Sequence, residues 1–459
     1  MNILSIFNQP KRGSNKVNIR MRRNKFRIFQ KIEIILCQLN TSSSLNERSN
    51  ISFKQSMTST EITDYAKNYI GFLNTSLTPH HFIDTAIEVS AGMEFMKHPN
   101  TRKPLKPGKH YIVNGTMLYL IIVPEKVTKC VSIAVHIDSP VYKLNQNFTS
   151  SDSNKNESKP GLVPLSISSY GGMLLHPWFD RELMIAGKVV NESGEHKLVT
   201  ESDLICLIPS LPPHLNNGTY SPKEFKLPEK TAFTDQSNAK RLEKLMENTI
   251  VHDLSLLPVQ SAYFDGNTGF VFSGRQDNLS SCYAALNAIF EEQTEGETLK
   301  IVGFYDYEEI GSLDRSGAES SSISQIIDQF EIEPENSIFI SADAAHAFNP
   351  MYPSNYESNH RLNLGCGVGI KHAPTYSTEI NSASTIIQLC RKHNIKHEHF
   401  CKSNCVRGGS TVGSMLSAQV NLPTIDIGVP LLAMHSCREV TCINDIMALQ
   451  DLFTAAFRD

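Results

Sequence analysis

The sequence predicts an α/β protein: a sheet with helices on both faces, interrupted by a β-rich insertion. Three observations lead there. Through the second half of the chain, short apolar strand-like runs alternate with helical stretches, as they do when helices cover both faces of a sheet. An early run, Cys130–Val135, has the same fully apolar character and belongs with them. Between these parts, residues 140–255 are dominated by strand-like runs and read as a domain of their own.

The elements follow in order. From Ser59 to about Met93 the spacing of Ala66, Tyr69, Ile70, Phe72 and Leu73 is helical, and Pro79 interrupts it. Leu118–Val123 and Cys130–Val135 are strands bounded by Pro, Lys and Asp. Asn145–Lys159 is rich in Ser, Asn, Asp and Lys and reads as a long exposed loop. Leu183–Val190 and Leu204–Ile208 are strands of the insertion, and the polar stretch Ser221–Asn248 follows. Strands at Thr298–Tyr305, Ser337–Ser341 and Leu422–Ile427 then alternate with helices at Asn278–Phe290, Ser320–Phe330, Ile380–His393 and Thr411–Gln419. The resulting organisation is a basic extension at 1–57, a layered part at 58–139 and 256–459, and the insertion at 140–255.

Composition excludes several classes. The 459 residues carry 43 Lys and Arg against 47 Asp and Glu, a net charge of −4, which does not suit a generally basic nucleic-acid binder. Apolar residues make up 40% of the chain, too many for a mostly disordered one. No apolar run approaches the roughly 20 residues needed to span a bilayer. Charge is uneven, however. Residues 1–57 have a local balance of +9, with only Glu33 and Glu47 as acids. This head reads as an organelle-targeting peptide or a disordered extension, with Met57 as an alternative start. The 10 cysteines are sparse and form no CxxC pair, which suits reduced thiols in a cytoplasmic compartment. The cluster His393, His397, His399, Cys401 and Cys405 has the spacing of no standard zinc finger, and a helix followed by an alternating strand explains it.

Acids and histidines gather just beyond the strand ends. Cys130–Val135 runs into His136 and Asp138, and Thr298–Tyr305 into Glu308 and Glu309. Ser337–Ser341 runs into Asp343 and His346, and Leu422–Ile427 leads to His435. Asp277 sits where a helix should begin. In open α/β sheets the functional crevice lies outside the carboxyl ends of the strands, so these groups are expected to converge. Imidazole and carboxylate without thiolate suit zinc, or a harder ion such as manganese or cobalt. The set exceeds what one catalytic zinc takes from a protein. It matches two ions roughly 3.5–4 Å apart that share a carboxylate. Adjacent glutamates at a strand end point in different directions. One of Glu308 and Glu309 is thus free to bind metal while the other acts as a general base toward water. Any single pair of this kind is weak evidence, because strand ends are solvated; four ends together are stronger.

Ordered motifs add a resemblance. Val135-His136-Ile137-Asp138-Ser139-Pro140, Tyr170-Gly171-Gly172, Trp178-Phe179-Asp180-Arg181 and Arg275-Gln276-Asp277-Asn278 occur in sequence. Tyr305-Asp306-Tyr307-Glu308-Glu309-Ile310-Gly311-Ser312, Ser341-Ala342-Asp343-Ala344-Ala345-His346-Ala347 and Asn359-His360-Arg361 follow. Gly409-Ser410-Thr411-Val412-Gly413 and Ala433-Met434-His435-Ser436 complete the set. Over about residues 60–459 the chain resembles the aspartyl aminopeptidase family, the M18 metallopeptidases.

The resemblance implies a three-layer zinc-exopeptidase-like α/β/α catalytic domain with an inserted dimerisation domain, and two zinc ions per subunit. His136 and Asp343 would hold one ion, Glu309 and His435 the other, with Asp277 bridging. Glu308 would be the general base, and Asp138 would fix the His136 imidazole. His214 matches a family histidine that enters the neighbouring subunit's site, although Ser210 replaces an accompanying histidine. Family members assemble as dodecamers built from dimers and remove N-terminal Asp or Glu from peptides. Lys371 resembles the lysine placed for that acidic side chain, with Tyr376 nearby. The short Lys371–Tyr376 segment, Arg407-Gly408-Gly409 and Met173 depart from the family pattern and bear on acidic specificity rather than on hydrolysis. His346 and His360 read as scaffold. The expected partners are peptides and further copies of the chain, not nucleic acid or membrane. The alternatives are an aminopeptidase of other specificity, a related dizinc deacylase, or a catalytically silent assembly or cargo homologue, whose signature would be a broken ligand set.

Overall fold

In the computed structural model, the residues described are 58–148, 162–215, 231–403, 406 and 408–459. The basic extension, most of the Asn145–Lys159 loop, the first part of Ser221–Asn248, Cys405 and Arg407 lie outside them.

Among the described residues, nine strands form the larger sheet. Its centre is four neighbouring parallel strands: Thr298–Tyr305, Lys129–His136, Ile338–Ala342 and Thr424–Gly428. Every residue of Thr298–Tyr305 is buried, as expected of a parallel strand covered on both faces. Alternation sorts the side chains. Val131, Ile133 and Val135 point into one core, and Cys130 and Ala134 into the other. The first core is closed by helices Ser59–Thr75, Pro79–Gly92, Gln276–Phe290, Ile380–Lys392 and Ile443–Arg458. The second is closed by Ser322–Ile327 and Val412–Val420. Three layers result, α/β/α, as the alternation predicts.

Local chemistry sets the helix boundaries. Thr58 and Glu61 form a capping box at the start of Ser59–Thr75, with the Thr58 N–H donating to Glu61 Oε2 at 2.8 Å. Pro79 stands at the first turn of the next helix, where it has no N–H to lose. The helix expected over Ser320–Phe330 is shorter, Ser322–Ile327, because hydrogen bonds to Ile326 O and Ile327 O close its end as turns. Within the polar stretch before Asn248, Asp235 caps an unexpected helix, Gln236–Met246, through Ser237 N and Asn238 N.

A second sheet is antiparallel. Among the described residues it has six strands, in the order His196–Cys206, Leu183–Asn191, Thr249–Pro258, Val141–Leu144, Leu162–Tyr170 and Thr231–Asp235. It packs its own core around Trp178, which meets Tyr142 edge-on at 5.4 Å. Strand Leu162–Tyr170 ends at the carboxyl end of the larger sheet, where Tyr170 reaches Asp138.

Candidate metal centre

Parallel register carries the first groups to one level. Tyr305 pairs with His136, so the turn after Tyr305 lies beside the His136 imidazole. That turn is Glu308–Ile310, entered through Tyr307 at φ 63, a left-handed conformation uncommon for a non-glycine residue. Asp343 follows strand Ile338–Ala342, and Asp277 lies in the first turn of Gln276–Phe290. His435, at φ 67, follows the last central strand by a short loop.

These side chains meet. His136 Nε2 is 3.2 Å from Asp277 Oδ1 and 3.2 Å from Asp343 Oδ1. His435 Nε2 is 3.5 Å from Asp277 Oδ2 and 3.4 Å from Glu309 Oε2. Two three-residue groups of metal-ligating type therefore share one carboxylate: His136, Asp277 and Asp343, and Asp277, Glu309 and His435. In each, the ligand atoms lie within 4.8 Å of one another. Glu308 completes a third group with His136 and Glu309.

Neighbouring groups hold the imidazoles. On its other side His136 faces Asp138, with Nδ1 3.4 Å from Oδ1. The Asp138 carboxylate also accepts from the backbone N–H of Glu308 at 3.2 Å and of Glu309 at 3.1 Å, and from the Tyr170 hydroxyl at 2.7 Å. One buried acid thus ties the His136 strand to the Glu308–Glu309 turn. His435 Nδ1 instead meets the backbone carbonyl of Gly172 at 2.8 Å. Sequence reasoning assigns no role to Tyr170 or Gly172. Gly172 acts through its backbone carbonyl and Tyr170 through another side chain, and residue type alone does not signal such contacts.

Electrostatics show what the cavity lacks. Burial and the carboxylates of Asp343, Asp277 and Asp138 push the Glu308 carboxyl up to about 7, against the His136 imidazole. Burial and Asp277 raise Glu309 well above the carboxylate range. Burial also works against a charged Asp277, but hydrogen bonds and charge from His136 and His435 outweigh it and hold this carboxyl low. The imidazoles respond in kind. Burial disfavours their charged forms, yet the surrounding carboxylates raise His136 well above its usual value and His435 to about 10. Glu309 Oε1 is buried without a hydrogen-bond partner, and Asp277 Oδ1, also buried, has only the His136 imidazole at 3.2 Å. Crowded carboxylates with unmatched oxygens, facing imidazole nitrogens, fit divalent cations, and oxygen and nitrogen donors suit zinc.

The remaining expected residues sit as follows. Lys371 is 1% exposed, with Nζ 3.6 Å from Asp343 Oδ2 and 5.3 Å from the centre of the Tyr376 ring. Burial opposes its charge, but Asp343, Tyr376 and Asp426 keep its pKa raised. His214 is exposed on the turn Pro213–Leu215, outside the groups that converge within this chain. His360 bonds Glu357 at 2.7 Å, and His346 tilts against Phe400. The His393–Cys401 cluster is spread over the end of helix Ile380–Lys392 and strand His397–Cys401, and its described residues form no metal-type group.

Comparison with known proteins gives the same chemistry. The family model described as aminopeptidase I zinc metalloprotease (M18) matches residues 72–240 and 230–457. A probable M18 family aminopeptidase 2 of Borreliella burgdorferi is 31% identical over 422 residues, covering 85% of this chain and 97% of that protein. The crystal structure of yeast aminopeptidase 1 superposes with a TM-score of 0.71 at 25% identity, over 86% of this chain and 97% of its own. An M18 aminopeptidase structure from Thermotoga maritima shares the fold, with a TM-score of 0.74 at 18% identity over 90% of this chain and 99% of its own. With carboxylates and imidazoles brought together at the sheet's carboxyl edge and a family match over most of its length, this chain belongs to the M18 zinc metalloproteases and is a metalloaminopeptidase.

Proposed function

We propose that the enzyme uses two zinc ions to release N-terminal residues, chiefly Asp and Glu, from unblocked peptides. The observation that carries this reading is the pair of ligand groups sharing Asp277. His136 and Asp343 would hold one ion and Glu309 and His435 the other, with Asp277 within reach of both. When bound, the zinc pair supplies Lewis-acid polarisation and lowers the pKa of water; manganese or cobalt suits the same donors.

The chain's own groups supply the rest. Glu308 takes the proton of the attacking water and returns it to the leaving amine. Asp138 orients the His136 ring and fixes the Glu308 backbone. Lys371 receives the acidic side chain of the substrate. Its ammonium lies 3.6 Å from Asp343, too long for a good hydrogen bond, and an Asp343 committed to a cation leaves that charge for a substrate carboxylate. An acidic side chain buried without such a partner would be costly. Tyr376 lines the same pocket.

Residues 58–139 and 256–459 form the catalytic domain in this proposal, and 140–255 the dimerisation domain. Leu215 in the Pro213–Leu215 turn and Leu211 just before it are exposed, apolar surface that supports burial against a second copy. His214 then enters the neighbouring site, and dimers build the dodecamer. Cytoplasmic residence rests on the cysteines, which are free wherever described. Organelle targeting through residues 1–57 is the alternative. Among the described residues no helix is long and apolar enough to cross a membrane.

Substituting Glu308→Gln tests the base. Turnover should fall by about 10²–10⁴-fold with zinc content unchanged. Near-normal turnover in that variant would refute the assignment. Fluorogenic aminoacyl substrates bearing Asp and Glu, compared with Leu, Lys and Arg, test the specificity; a preference for Leu would remove Lys371 from its role.

A further inference from the structure

Glu439 opens strand Glu439–Cys442 and is 1% exposed. Among the described residues no basic side chain forms an ion pair with it. Its partners are backbone amides. Gln276 N–H donates to Oε2 at 2.7 Å and Asp277 N–H to the same oxygen at 3.2 Å, while His435 N–H donates to Oε1 at 2.9 Å. The Gln276 side chain in turn donates to the Glu439 carbonyl at 3.1 Å.

The placement of these bonds is what matters. Arg275 (φ 64), just ahead of Gln276 and Asp277, and His435 (φ 67) are left-handed non-glycine residues. Such backbone persists only where its surroundings over-determine it. A buried polar group is costly unless hydrogen-bonded, and removing one partner of such a bond leaves the other unsatisfied. One side chain therefore clamps both turns.

We propose that Glu439 is a positioning residue of the metal centre: its carboxyl group fixes the turns that carry Asp277 and His435. This rests on the reading of Asp277 and His435 as ligands. It makes Glu439 the counterpart of Asp138, which holds the amides of Glu308 and Glu309 across the cavity. Glutamine at this position keeps the shape, but its NH2 group opposes at least one of the three N–H donors.

The test measures zinc affinity of the full-length chain by competition with a chromophoric chelator, for wild type, Glu439→Gln and Glu292→Gln. Glu292 is also a buried carboxylate, 3% exposed, but it pairs with Lys300 and Arg458 at the other end of the sheet. Loss of a group that orients a metal ligand costs about 10–100-fold in metal affinity. Glu439→Gln should show such a loss, while Glu292→Gln lowers the melting temperature and leaves zinc affinity unchanged. Equal zinc affinity in Glu439→Gln and wild type overturns the inference and leaves the ligand assignment standing. A wild-type chain that takes up no zinc overturns both. If Glu439→Gln does not fold, hydrogen exchange on the metal-free wild type decides. Protected amides at Gln276, Asp277 and His435 are expected, and exchange at the rate of an unstructured chain rejects the clamp.

Discussion

The two ends of the central sheet hold buried acids in opposite states. Where strand Thr298–Tyr305 begins, Glu292 lies 2.7 Å from Lys300 Nζ and 2.7 Å from Arg458 Nε. Both its oxygens are matched by cations of the chain. Where the strand ends, Asp277, Glu308, Glu309 and Asp343 crowd around two imidazoles and one distant ammonium, and one oxygen of Glu309 has no partner. The first arrangement completes itself within the fold. The second requires charge from outside. Buried acid alone thus marks nothing; a mismatch in charge and hydrogen bonding does.

Exchanging one acid at each end breaks the comparison most directly. Asp277→Asn removes the shared carboxylate, so turnover should drop to background with zinc content reduced and melting of the metal-free chain little changed. Glu292→Gln leaves Lys300 buried without its full counter-charge. Breaking a buried pair costs about 3–5 kcal/mol, read as a lower melting temperature, while the surviving folded fraction keeps its zinc and its turnover per site. Activity lost in Glu292→Gln at full folding would end the distinction between the two ends.

A smaller effect separates the two imidazoles. His136 leans on a side chain, Asp138, and His435 on the Gly172 carbonyl. Tyr170, two residues before Gly172, donates to Asp138 at 2.7 Å, so the antiparallel sheet supports both rings. Tyr170→Phe removes one of the three donors that Asp138 has besides His136 and keeps the ring. A hydrogen bond to a charged group contributes about 1.5–3 kcal/mol. Turnover is expected to fall about tenfold or more, with KM changed little. An unchanged kcat would show that the two backbone amides suffice for Asp138.

How much of this was legible depended on where each residue's signal lay. His136, Asp138, Glu308, Glu309 and Asp343 stand at points where an apolar strand pattern stops, so type and position could be read together. The central strands were readable for the same reason, since burial on both faces leaves an unbroken apolar run. Helix Ile443–Arg458 does carry a signal, with Ile443, Ile446, Leu449, Leu452, Phe453 and Phe457 at three- and four-residue steps, but no metal-ligating residue or strand end draws attention to it. Gln236–Met246 is hidden by its polarity, with only Ala239 and Leu242 buried. Gly172 and Glu439 were invisible for a third reason. Gly172 offers a backbone carbonyl and Glu439 receives backbone amides, so partners 263 residues apart in one case meet only when the chain is folded.

The smallest effect concerns an acid of a third kind, paired but partly in water. Asp253 meets His80 Nε2 at 3.0 Å and Lys143 Nζ at 2.7 Å, joining helix Pro79–Gly92 to the antiparallel sheet. Burial would raise its pKa, but the His80 and Lys143 contacts outweigh this and hold the carboxyl below its usual range. In the unfolded chain it returns to about 3.9, so the unfolded state binds the proton first as pH falls. The stability Asp253 contributes is therefore complete above that value and is lost as pH drops toward the lower, folded one. Its side chain is 41% exposed, which limits the contribution to about 1 kcal/mol or less. Melting curves of wild type and Asp253→Asn should differ slightly at neutral pH and converge below about pH 4, with zinc uptake and turnover the same in both. If the variant instead loses zinc, then pairing within the chain does not separate the acids that hold the fold from those that hold the metal.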